Sequence, residues 1–113
     1  MKLLTEELRK KFEKYPLYSQ DGKGENAVVV CKFFLGTWTW YALEFDGQDT
    51  FFGLVVGLET EYGYFSLSEL SRVRNTLGLG VERDMYFKPC TLAELSKTDE
   101  DVKEFMCCMY AED

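Results

Sequence analysis

From Thr5 onward, apolar positions first recur at a helical spacing. Leu8, Phe12 and Tyr15 fall at i, i+4 and i+7, with Lys10, Lys11 and Lys14 directed elsewhere. Thr5 offers an N-cap oxygen, Glu6 and Glu7 suit the positive end of the helix, and Pro16 stops it. The polar, glycine-containing stretch from Ser19 to Asn26 reads as a loop long enough to be mobile. The period then changes. Ala27 to Leu35 is rich in β-branched and aromatic residues and apolar on both faces, as in a strand covered from both sides. Thr37 to Phe45 alternates, with Trp38, Trp40 and Ala42 on one face and Thr39, Tyr41, Leu43 and Phe45 on the other. Asp46-Gly47 marks a turn, and Thr50 to Leu58 returns to complete a three-stranded antiparallel meander. Gly53 and Gly57 in the returning strand predict bulges or the close approach of a large neighbour such as a Trp ring.

Ser66-Leu67-Ser68-Glu69 has the form of a capping box and opens a second helix, with Leu67, Leu70, Val73 and Leu77 inward and Gly78 at its end. Val81 to Phe87 reads as a fourth strand, closed by Pro89. Thr91-Leu92-Ala93-Glu94 repeats the cap chemistry and opens a short helical turn. The clearest helical period lies in a last helix over about residues 98–111, capped at Thr98 to Asp101 and carrying Val102, Phe105, Met106, Met109 and Tyr110. These elements predict an α+β fold: a mostly antiparallel sheet of about four strands, helices packed on one face, and an additional C-terminal helix. At 113 residues the chain has the length of a single domain, 1–113.

Composition sharpens this picture in two respects. A hydrophobic fraction of 46% excludes wholesale disorder. The net charge of −7 is uneven: residues 16–64 carry two basic and seven acidic groups, and residues 98–113 carry one and six. Such a chain repels phosphate backbones, so direct nucleic-acid binding is not expected. The acidity serves solubility, or it offers a surface to a basic partner. No apolar run approaches the ~20 residues of a membrane helix, and Met1 to Leu4 leads straight into Thr5-Glu6-Glu7 without a signal-peptide core, so a cytoplasmic, membrane-free location is expected. Cys31, Cys90, Cys107 and Cys108 follow no metal spacing and read as free thiols.

Candidate chemistry is sparse. The chain contains no histidine, which removes the commonest general base and metal ligand. No phosphate-cradling glycine motif is present, and no cofactor is expected. Glu59 and Glu61, and likewise Glu82 and Asp84, sit two apart on strand-like segments and so share a face. Such pairs bind Mg²⁺ or act as acid and base only in a cleft. The plainer reading is a solvated face with salt bridges to Arg72, Arg74 or Lys88. Trp38 and Trp40 are either core or an exposed platform that grips a partner. Cys107 and Cys108 make the last helix apolar almost all round, which points to burial or to a two-fold contact with a second copy.

Several segments together resemble a family known as a domain of unknown function, found in phages, plasmids and integrated elements of bacteria. They are Leu3-Leu4-Thr5, Pro16 to Asp21, Val28 to Phe34, Trp38 to Tyr41, Phe51 to Val55, Gly63 to Leu70, and Glu82-Arg83-Asp84 leading to Tyr86-Phe87, covering about residues 3–95. The resemblance implies an α+β fold and a mobile-element setting in a bacterial host, with no catalytic residues, and the helix after Thr98 stands outside the usual pattern. The expected function is non-enzymatic binding of a host defence protein, basic or nucleic-acid-binding, such as a CRISPR effector. Trp38, Trp40, Tyr41, Glu59, Glu61, Tyr64, Glu82 and Asp84 are the expected contact residues. The alternative is a nucleotide-signal pocket lined by Trp38, Trp40, Tyr41, Phe52 and Tyr64, with Arg72, Arg74, Arg83 or Lys88 at its rim.

Overall fold

Thr5 caps the first helix through its side-chain oxygen, which accepts the Leu8 N–H at 3.2 Å, and α1 spans Glu6–Phe12. The structure is a computed structural model that describes residues 1–110. Tyr15 lies beyond the helix end yet still packs on the core, and its carbonyl accepts the Phe45 N–H at 3.0 Å.

The loop that follows is tied into the molecule, against the expectation of mobility. Gln20 is buried; its Nε2 donates to the carbonyls of Val28 and Leu43 at 2.8 and 2.9 Å, and its Oε1 accepts the Val28 N–H. The buried Glu44 carboxylate accepts the N–H groups of Tyr18 and Gln20, each at 2.8 Å. Pointing both donors inward places Tyr18 at a φ of 73°, in the left-handed region that a residue with a Cβ rarely occupies.

The apolar run after this loop divides into β1 (Val28–Val29) and β2 (Cys31–Leu35). Next come β3 (Trp38–Phe45), β4 (Thr50–Val56) and β5 (Thr60–Ser66), all antiparallel. The strand β5 was not legible as one, because Glu61 and Gly63 break its apolar alternation. Helix α2 (Leu67–Arg72) starts directly from it, with the Ser66 oxygen accepting the Glu69 N–H at 3.0 Å. The expected run to Gly78 does not form. Arg72 is the last helical residue, and the chain turns through Asn75, whose side chain accepts the N–H groups of Leu77 and Leu79. Val73 and Leu77 are therefore exposed rather than inward.

The expected fourth strand shrinks to β6 (Glu82–Arg83), paired to the outer side of β2. A five-stranded antiparallel sheet results, in the order β5-β4-β3-β2-β6. A second, two-stranded sheet joins β1 to β7 (Cys90–Thr91). Thr91 and Glu94 form a complete capping box for α3 (Leu92–Leu95). The side chain of Asp99 accepts from the N–H groups of Asp101 and Val102 at the start of α4 (Glu100–Tyr110); residue 111, the end of the expected helix, lies outside the described residues.

Both faces of the main sheet are covered. On the first, α1, α2, Leu3 and Leu4 pack over Phe33, Trp40, Ala42, Phe45, Phe51 and Phe65. The Phe51 ring contacts those of Phe12, Phe33, Phe45 and Phe65 at centroid distances of 5.5, 5.6, 4.4 and 5.4 Å. On the second, α3 and α4 pack Leu92, Leu95, Val102 and Met106 over Tyr41, Leu43, Leu54 and Val56. Phe45 belongs to the first face, not to that of Tyr41 and Leu43 as strict alternation predicts. A register shift between Ala42 and Glu44 inserts one residue and moves the rest of β3 to the other face. The α+β class and the mostly antiparallel sheet follow the sequence reading, and the C-terminal helix helps complete the second face.

Candidate interaction site

Register places four residues from four strands in one row on the first face: Phe33, Trp40, Val55 and Glu61 are successive cross-strand partners. The row runs from core to solvent. Phe33 is fully buried, Trp40 is 9% exposed, Val55 is half-buried and Glu61 is exposed. Trp38 lies one step along β3 on the same face and stacks on Trp40, with centroids 6.0 Å apart and planes 23° from parallel. Its ring occupies the space above Gly57, where a Cβ would overlap ring atoms Cε3, Cζ3 and Cη2. Gly57 thus explains itself as the close approach that the sequence suggested. Beyond it, the turn between β4 and β5 is closed by the Gly57 N–H donating to the Glu59 carbonyl at 2.9 Å. That turn carries Leu58 at 96% exposure, and Trp38 is 42% exposed.

One end of the sheet therefore presents the Trp38 indole, backed by the buried Trp40, with an isolated leucine and the carboxylates of Glu59 and Glu61. Among the described residues the only ion pair joins Arg9 to Glu6 at 3.8 Å, so neither carboxylate is neutralised by a basic side chain. Beside the indoles lies a groove of about 480 Å³, walled by Trp38 and Trp40 on one side and by Val73, Arg74 and Asn75 on the other, over the Leu35-Gly36-Thr37 turn. The Arg74 guanidinium stays at its rim, donating to the carbonyls of Ser71 and Val73 at 3.0 and 2.8 Å. Leu35, Gly36, Arg74 and Asn75 also line a larger groove of about 780 Å³ that reaches Met1, Lys2 and Glu82.

The remaining candidates lie elsewhere. Tyr41 is buried on the second face, where its hydroxyl donates to Asp99 and the Lys32 ammonium lies 5.7 Å from its ring. Burial first, and then the Asp99 hydrogen bond, push the Tyr41 phenol well above its ordinary range. Tyr64 is exposed, with its ring beside Phe52. Tyr62 lies between Phe52 and Phe105 and shares a hydroxyl hydrogen bond with Tyr110. The five-ring pocket of Trp38, Trp40, Tyr41, Phe52 and Tyr64 is thus not assembled, because the sheet separates the tryptophans from the other three.

Glu82 and Asp84 stand at the opposite edge. Asp84 accepts the Tyr86 N–H at 2.9 Å, and among the described residues neither acid forms an ion pair with Arg72, Arg74 or Lys88. Among the described residues no group of three metal-ligating side chains comes together. Cys31 is buried, which raises its thiol to about 12, whereas Cys107 and Cys108 are exposed rather than packed. Leu58 was not singled out by sequence, since an isolated apolar residue in a turn carries no period. Val73 was expected inward on the second helix and Arg74 at a pocket rim, and the end of α2 at Arg72 places both beside the groove next to the indoles.

Residues 3–103 match the family described as a protein of unknown function (DUF2958). The chain belongs to that family. The DUF2958 match extends past the motifs of residues 3–95 into the first turn of α4, so the start of that helix is within the family pattern. No curated protein and no solved structure matches the chain. No helix among the described residues is long and apolar enough to cross a membrane.

Proposed function

We propose that this protein is a non-enzymatic binding protein that engages a basic protein partner through the Trp38, Trp40, Leu58, Glu59 and Glu61 end of its sheet. The observation that supports this reading is the row that carries the core's own aromatic packing outward to an unpaired carboxylate. Partly exposed aromatics serve as anchors, and unpaired charge beside them steers and selects an oppositely charged partner. With a net charge of −7, the chain suits a partner whose own surface binds nucleic acid. In a mobile-element setting, such a protein would block a host defence protein, an anti-CRISPR-like role exerted in the bacterial cytoplasm. The test is affinity capture from bacterial lysate with the full chain, with Trp38→Ala and with the Glu59→Lys, Glu61→Lys double variant. One dominant basic protein should be captured by the first and lost from both variants. Equal capture by all three would discard the reading.

A second reading rests on the groove beside the indoles. Trp38, Trp40 and Arg74 together suit a planar anionic ligand such as a nucleotide signal. A thermal shift across a nucleotide panel that vanishes in Arg74→Ala would favour it. Unshifted melting together with native mass spectra free of any bound mass would remove it. A two-fold contact through α4 has Met109, Tyr110, Cys107 and Cys108 as its exposed material, since Val102 and Met106 are used within the chain.

A further inference from the structure

The strand β5 is an edge of the main sheet, and its outer side is uncommitted. Two bonds at the ends of the β4–β5 ladder fix its parity: Gly57 N–H to the Glu59 carbonyl, and Leu67 N–H to the Asp49 carbonyl. In an unbroken antiparallel register this commits the backbone groups of Glu61, Gly63 and Phe65 to β4. The N–H and C=O groups of Thr60, Tyr62 and Tyr64 then point away from the sheet, and none has a hydrogen-bond partner among the described residues. Folded proteins usually blunt such an edge with proline, lysine, a bulge or a very short strand. β5 has seven residues, no Pro, no Lys and no register shift, and Glu61 is its one charged side chain, a guard against like-charged or apolar strands and not against a basic one.

We propose that this edge adds an extended, basic segment of the partner protein as a further strand, which deepens the proposed function and rests on its basic partner. Charge selects the occupant. Side chains of an added strand would lie beside Glu61, Gly63 and Phe65 on the first face and beside Tyr62 and Tyr64 on the second. Glu61, with Glu59 at the strand's start, favours Lys or Arg opposite it. Gly63 has nothing within 4 Å of where its Cβ would be, so it leaves room for a large side chain from the incoming strand. A second copy would instead bring together two chains of charge −7, acidic end against acidic strand. Backbone pairing supplies the attachment and alternate basic residues supply the selection.

The probe is a synthetic peptide, acetyl-Lys-Val-Lys-Val-Lys-Val-Lys-amide, added to the full chain while amide exchange is followed residue by residue. Exchange at Tyr62 and Tyr64 should slow by about tenfold or more, with Gly63 unchanged because its N–H already serves β4. The Glu-Val counterpart should have no effect. Tyr64→Pro removes an outward donor while leaving the β4 ladder intact, and it should abolish the response that Tyr64→Phe retains. Should the proline variant fail to fold, the wild-type comparison of the two peptides decides alone. The proposal is overturned if Tyr62 and Tyr64 stay fast at millimolar Lys-Val peptide, or if both peptides act equally. It is equally overturned if protection rises with protein concentration alone, which would identify a second copy. Capture that depends on Trp38 and Glu59 while the β5 amides never slow would leave the basic-partner reading standing and remove strand addition only.

Discussion

Trp38 lies directly over Gly57, its benzene ring filling the volume that a Cβ at position 57 would need. The overlapping atoms are the far end of a half-exposed side chain, so the ring can move aside more easily than the backbone can. Gly57→Ala should therefore unstack Trp38 from Trp40 while costing only about 1 kcal/mol of stability. A red-shifted tryptophan emission with a nearly unchanged urea midpoint is the expected result. Weakened partner capture should accompany it.

Gly53 meets a different obstacle. A Cβ there would overlap the Tyr41 carbonyl oxygen across the ladder, in the middle of the sheet, where nothing flexible can yield. Gly53→Ala should cost about 3 kcal/mol or more. Gly63→Ala, two positions along the neighbouring strand from Glu61 and facing open space, should lie within about 0.5 kcal/mol of the parent. Paired urea titrations check both, and similar losses at the two sites would contradict the geometry.

The buried Tyr41 phenol makes stability fall at alkaline pH. Its folded pKa is raised above the usual phenol value of about 10 by burial and by the Asp99 hydrogen bond. Above pH ~10 the unfolded state has lost this proton while the folded state retains it, so unfolding releases a proton and stability declines with pH. Below pH ~10 the contribution is fully present. Cys31, raised to about 12, adds to the loss from its own lower reference upward. Tyr41→Phe should reduce the slope above pH 10 by about 1.4 kcal/mol per pH unit, while removing one charge-assisted hydrogen bond worth about 2 kcal/mol at neutral pH. Urea melts between pH 7 and 11.5 measure both effects.

Truncation after Lys97 should abolish cooperative unfolding. The cut would expose Tyr41, Leu92 and Leu95, which now pack with Val102 and Met106 across the second face. Circular dichroism on the shortened chain should show loss of the sheet, and a folded monomer would show that α4 is dispensable.

The meander, both threonine caps and the Gly57 close approach were legible because each depends on local periodicity or local backbone chemistry. Phe45, expected on the face of Tyr41 and Leu43, lies on the opposite one because of a bulge: one inserted residue reverses the faces, and nothing in Leu43-Glu44-Phe45 announces it. Leu67, Leu70, Val73 and Leu77 repeat at helical spacing, yet the helix ends at Arg72, where the chain instead turns around the Asn75 side chain. The carboxylate pair of Glu59 and Glu61 was visible as a pair. Its alignment with Trp40 through Val55 depends on register across three strands, which only the assembled sheet supplies. Tyr41 and Trp40, adjacent in sequence, part company because neighbouring strand residues face opposite ways.

The Glu44 carboxylate holds Tyr18 in its left-handed conformation from 26 positions away. A turn of that kind is disfavoured in isolation, since the conformation costs about 1 kcal/mol or more until the acid arrives. The order of assembly expected from this is that β3 and β4 pair first and the segment from Pro16 to Asn26 closes over them afterwards. Pulse-labelled amide exchange during refolding should protect Leu54 and Tyr41 first and Tyr18 and Gln20 last. In that order the acid would close the chain last, as a latch, and Glu44→Ala should leave early protection intact while the final step disappears.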